Sequence, residues 1–118
     1  MMEIGVEIKE KFTLLSIVGE LDDDDLEKLE GSVSQLMGKG CRRVVLDLTQ
    51  VSAMSANGLG TLVRLWSYIR FKRGDLKIVG LNSRLEYLFR SMGAEGMFET
   101  YRDVREMMEK TGRLPVLV

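Results

Sequence analysis

The 118-residue chain contains no histidine, one cysteine (Cys41) and one proline. The first absence removes whole classes of chemistry. A histidine general base, a Ser-His-Asp or Cys-His nucleophile and an imidazole-bound metal are all excluded. A lone cysteine closes no intrachain disulfide, which suits a reducing compartment, so a cytoplasmic location is expected. Charge of either sign is not in excess. The formal net charge is −1, and no overall field draws the chain toward nucleic acid or anionic lipid, so neither is an expected partner. Long apolar runs are also missing, and none approaches the ~18 residues of a membrane span. The opening "MMEIGVEIKE" lacks a basic stretch followed by an apolar one, so no secretory leader is expected in it.

What remains is the composition of an ordinary globular domain, 45% hydrophobic and 30% charged. A chain of this length buries roughly two thirds of its unfolded surface and needs no metal or disulfide to fold. No repeat, linker or low-complexity tract interrupts it. Residues 1–118 are expected to form a single domain, with the apolar tail "RLPVLV" (113–118) loosely docked.

The hydropathy pattern alternates between two periods. Ile4, Val6 and Ile8 alternate with polar or small residues, as in a half-buried strand. "KEK" at 9–11 makes a hairpin connection to a second strand, "FTLLSIVGEL", with Gly19 marking its end. Leu26, Leu29, Val33, Leu36 and Met37 then recur at helical spacing. The preceding aspartates fill the cap and first turn, where the helix dipole favours negative charge, and Gly38 and Gly40 stop the helix.

"RRVVLDL" (42–48) fits a central strand covered on both faces. A second helix follows, with Leu59, Leu62, Val63, Trp66 and Ile69 in its apolar stripe. "DLKIVGL" is another buried strand. Leu85, Leu88, Phe89 and Met92 share one face of a third helix, with Asn82 or Ser83 as its cap and Gly93 as its stop. "MFETY" is a short edge strand. The last helix directs Val104, Met107 and Met108 inward. The order is ββαβαβαβα, an α/β fold with a mixed, mostly parallel sheet of four to five strands packed with about four helices and right-handed crossovers.

In such sheets, sites form where strands end and helices begin. "GELDDDD" (19–25) is one such place. Its aspartates lack the spacing of a calcium loop, and the run reads as a solvated helix start, so no metal site is expected. Asp47 suggests a phospho-aspartate receiver pocket, but "KIVGLN" has no lysine at the strand end that such a pocket requires. The other place is "VSAMSANGLG" (51–60), between the central strand and the second helix. Its glycines resemble a phosphate cradle, yet it has neither a Gly-Lys-Ser/Thr nor a G-x-G-x-x-G pattern. Ser55 has two compatible readings there. It is an N-cap that accepts a bond from the N–H of residue 57 or 58, or a phosphoacceptor at a helix N-terminus.

"IVGELD" at 17–22, followed by a helix and then by "RRVVLDLTQVSAMSANGLGTLV" at 42–63, resembles the STAS family in its bacterial anti-sigma factor antagonist form. The resemblance extends through "LKIVGLNSRLEYLFRSMGAEGMFETY", nearly the whole chain. It implies a small mixed sheet whose first strand is antiparallel to its neighbour. It also implies a protein that is not an enzyme and has no cofactor. Members bind an anti-sigma factor, often a serine protein kinase, and so free a sigma factor. The kinase phosphorylates a serine at the start of the second helix to break the complex, and a phosphatase restores it.

The family loop reads M-D-S-S/A-G-L-G, with the phosphoserine directly after the aspartate. Met54 aligns with its methionine and Gly58-Leu59-Gly60 with its G-L-G. Ser55 then stands where the family has aspartate, Ala56 where it has the phosphoserine and Asn57 where it has serine or alanine. Asp22 matches the acidic residue that faces this loop. The switch segment is therefore expected to comprise Asp22, Ala53, Met54, Ser55, Ala56, Asn57, Gly58, Leu59 and Gly60. Ser55 is its first phosphoacceptor candidate and Ser52 its second. A STAS binder with no phospho-switch and a small-ligand or nucleotide sensor are the alternatives.

Overall fold

The computed structural model describes residues 2–111, so the expected docking of 113–118 lies outside the described residues. The elements run β1 (Met2–Ile8), β2 (Thr13–Leu21), α1 (Leu26–Gly38), β3 (Arg43–Met54), α2 (Ala56–Phe71), β4 (Asp75–Val79), α3 (Ser83–Ser91), β5 (Glu99–Tyr101) and α4 (Val104–Thr111). The five strands lie side by side in chain order. β1 is antiparallel to β2, and β2, β3, β4 and β5 are parallel. The expected mixed sheet, element order and antiparallel first strand are all present.

Side-chain alternation divides the core between the two faces of the sheet. Leu15, Ile17, Leu46, Leu48, Leu76 and Ile78 face the main core, where they meet Leu29 and Val33 of α1, Leu59, Leu62 and Ile69 of α2, and Leu85 and Phe89 of α3. Leu14, Val45 and Val79 face the other way, onto Met107 of α4. The near-continuous apolar runs of β2 and β3 follow from this arrangement, because both of their faces are covered.

Several local expectations change. β1 is half-buried only at its start. Met2 and Ile4 meet the core under α1, whose Lys28 donates to the Met2 carbonyl at 3.0 Å, whereas Val6 and Ile8 are 51% and 69% exposed. β2 does not end at Gly19. That residue takes φ 112°, open to glycine and costly to others, and carries a register shift, after which the strand continues to Leu21. The aspartates do not occupy the first turn of α1. Helix begins at Leu26, and Asp25 stands at the cap position without a side-chain cap bond. Asn82 caps α3, accepting from the Leu85 N–H at 2.8 Å. Met92 follows the last turn of α3 and is 48% exposed, and Met108 is 50% exposed because Met107 takes the inward position.

The change with most consequence is in β3. It continues past 48 to Met54, and its final residues pair only with β2, up to Leu21↔Met54. Residues 51–54 of the segment 51–60 are therefore strand, and Ser55 alone separates them from α2.

Candidate functional site

Two chain segments meet where β2 and β3 finish together. The Ser55 N–H donates to the Leu21 carbonyl at 3.1 Å, so the strand pairing closes on the first residue before α2. Ser55 has extended backbone dihedrals, φ −80° and ψ 165°, and its Oγ accepts from the Gly58 N–H at 2.9 Å. That is N-cap geometry, and it satisfies one of the N–H groups a helix start leaves open. Gly58 is buried beneath the cap. A Cβ there would overlap the Leu21 carbonyl oxygen, so glycine is required because the end of β2 passes so close to α2. The Gly58 N–H faces Ser55 Oγ and is not available to a phosphate ligand.

The same Ser55 hydroxyl donates to Asp23 Oδ1 at 3.0 Å. The second Asp23 oxygen accepts from Asn57 Nδ2 at 3.1 Å. One carboxylate from the β2–α1 loop thus spans two side chains of the α2 start, from 32 and 34 residues away. Asp22, the acidic residue expected to face this segment, is half-buried. Its Oδ1 accepts from the Asp24 N–H at 3.2 Å and its carbonyl from the Asp25 N–H at 3.4 Å. Asp22 therefore shapes the turn that presents Asp23. Among the described residues, no three histidine, cysteine, aspartate or glutamate side chains converge as metal ligands.

The remaining candidates are distributed as follows. Ala53 and Met54 are half-buried at the end of β3, and Ser52 is exposed one position earlier on that strand. Ala56 and Asn57 are exposed in the first turn of α2, and Gly60 is half-buried. Leu59 is 1% exposed, so it supports the segment from the core and offers no outward anchor. Asp23 was not singled out by sequence reasoning. A run of four aspartates marks the neighbourhood, but nothing in it shows which carboxylate points toward α2.

Lys77 and Tyr101 are held above their ordinary values, and both belong to the β4–β5 edge. Burial works against the Lys77 charge, yet its bonds to Asp75 and Glu99 outweigh that and raise its pKa. Burial, and then the Glu99 carboxylate, raises that of Tyr101.

Fold and site together define an α/β module in which a capped helix start closes the end of a central parallel strand pair. A sequence model of the STAS domain matches residues 3–107, and the chain belongs to the STAS domain family. It is 32% identical to an anti-sigma-B factor antagonist of Listeria monocytogenes, over 83% of this chain and 89% of the relative. An anti-sigma factor antagonist from Mycobacterium paratuberculosis superposes with a TM-score of 0.84 at 18% identity, covering 95% of each chain. The phosphorylated form of the Bacillus cell fate determinant SpoIIAA superposes at 0.70 with 14% identity, covering 92% of this chain and 98% of that one. These two structural likenesses concern the fold. No helix among the described residues is long and apolar enough to cross a membrane.

Proposed function

We propose that the chain is an anti-sigma factor antagonist, a cytoplasmic binding module that takes up an anti-sigma factor and thereby frees a sigma factor. The reading rests on its 32% identity to an anti-sigma-B factor antagonist across 89% of that relative's length. The contact surface in this reading is the end of β3 and the first turn of α2, where Ala56 and Asn57 are exposed and Met54 is half-buried. The domain acts by binding and catalyses no reaction itself.

Phosphorylation of Ser55 by a serine kinase, the anti-sigma factor itself, is the control in this reading, and a phosphatase reverses it. Phosphate adds about −1.5 to −2 charge at a helix N-terminus, where the dipole favours it, so the domain stays folded while the partner is repelled. The phosphorylated protein that shares this fold supports the physical compatibility of such a group with the architecture. The check is incubation with the cognate kinase and ATP, followed by peptide mass spectrometry. Label on Ser55, absent from Ser55→Ala, is the expected result. Label on Ser52 or elsewhere, with Ser55 unmodified, overturns the assignment.

A second reading, a binder with no phospho-switch, is favoured by one observation. The Ser55 hydroxyl is engaged as both donor and acceptor, and the next residue, Ala56, has none. It predicts a complex that ATP leaves intact.

A further inference from the structure

We infer that Asp23 is a latch over the Ser55 hydroxyl, and that it must open before that hydroxyl can receive a phosphoryl group. The inference rests on the reading of Ser55 as phosphoacceptor and adds what controls it. Both hydrogen-bonding functions of the hydroxyl are in use, its lone pair on the Gly58 N–H and its proton on Asp23 Oδ1. The cap bond leaves a second lone pair free for attack. The carboxylate does not leave the approach free. A reacting phosphorus must come within about 3–3.5 Å of the attacking oxygen. Asp23 Oδ1 stands at 3.0 Å, inside that shell, and carries the same sign of charge as the incoming phosphate oxygens.

The latch is built from more than one bond. Asn57 holds the other Asp23 oxygen at 3.1 Å. Behind it, the Asp22 carboxylate ties down the Asp24 N–H, and the Leu21 carbonyl is fixed to the Ser55 N–H. The loop between β2 and α1 is thereby fastened to the start of α2 at Leu21 and at Asp23, and the Asp22–Asp24 bond holds the turn between β2 and α1 in shape.

Opening the latch lets transfer proceed. The bond between the γ-phosphorus of a nucleoside triphosphate and its bridging oxygen breaks, a bond from that phosphorus to Ser55 Oγ forms, and the nucleoside diphosphate leaves. The hydroxyl proton passes to a base on the kinase. Afterwards the phosphate and the Asp23 carboxylate repel each other, and the latch stays open. The loop at 22–25 is then the moving part of the switch, and the helix start beneath it keeps its structure. Asp23 acts through Ser55 and is a positioning residue. Because it is exposed, its effect is modest, about fivefold in rate.

The test has a kinase-independent arm and a kinase arm. In a Cys41→Ala background, Ser55→Cys places a thiol at the latch, and its alkylation by iodoacetamide is followed against pH with Asp23 present and with Asp23→Asn. Melting curves establish that each variant is folded. Asp23→Asn is expected to accelerate alkylation about fivefold and to move the pH–rate profile to lower pH, which a merely structural residue would not do. Equal rates and superimposed profiles overturn the latch. In the kinase arm, Asp23→Asn is expected to be labelled on Ser55 about fivefold faster than the parent chain, and equal or slower labelling overturns the latch. Faster alkylation with no label on Ser55 in any variant overturns the phosphoacceptor reading instead, so the two failures are distinguishable.

Discussion

Ser55 serves two structures with one oxygen. It caps α2 through the Gly58 N–H and ties down the β2–α1 loop through Asp23. Gly58 makes this possible by letting the Leu21 carbonyl lie almost against the first turn of α2. Gly58→Ala forces backbone apart at the buried meeting point of both strands, and alanine cannot relieve the overlap by rotating. It is expected to cost about 2 kcal/mol or more, read as a lowered urea midpoint, whereas Gly60→Ala, whose Cβ would meet only the Arg64 guanidinium at an ordinary 3.9 Å contact, is expected to be neutral or slightly stabilising. The cap itself was legible in the sequence, since a serine just before a stretch of helical periodicity is an N-cap signal. The Asp23 contact was not. It is a side-chain bond between segments 32 residues apart, and four consecutive aspartates look alike until the turn that orients them is known.

The elements were read from period and punctuation, and both signals weaken at their ends. β3 extends to Met54 although "TQVSAM" carries polar and small residues. β4 stops pairing with it at Asp47↔Val79, so the remainder pairs as a strand with β2 alone, with Asn82 Nδ2 donating to the Val51 carbonyl at 3.2 Å on its other side, and need not be apolar on both faces. β1 shows the opposite case. Its alternating pattern is regular, yet Val6 and Ile8 are largely exposed and only the start of the strand meets the core under α1. Periodicity identifies a face but does not supply a partner for it. In α4, adjacent methionines compete for one inward position, and their order was not legible from spacing. Met107 packs on Leu14, Val45 and Val79, and Met108 does not. Met107→Ala is expected to destabilise the protein by about 2–4 kcal/mol, and Met108→Ala by less than about 0.5 kcal/mol, in equilibrium urea unfolding.

At the scale of the whole molecule, the architecture follows from the alternation of strand and helix after an initial hairpin, and the sequence carried that clearly. Doubly covered β2 and β3 form the centre, α1, α2 and α3 cover one face, and α4 covers the other. This frame fixes the ends of β2 and β3 side by side, so the loop after β2 and the start of α2 arrive at one surface patch. The charged cluster of Lys77, Asp75 and Glu99 belongs to the β4–β5 edge, apart from that patch. The family assignment rests on a domain match spanning residues 3–107 and on the relative from Listeria monocytogenes. Absence of histidine excludes histidine-based acid–base chemistry and imidazole-bound metals.

The central claim is that this domain displaces a sigma factor from its anti-sigma factor. The most direct measurement mixes the chain with a preformed complex of its cognate sigma and anti-sigma factors and follows free sigma factor by size-exclusion chromatography. Stoichiometric release by the unmodified chain, and none by chain phosphorylated on Ser55, is the predicted result. A sigma complex left intact by excess unmodified chain would contradict the account.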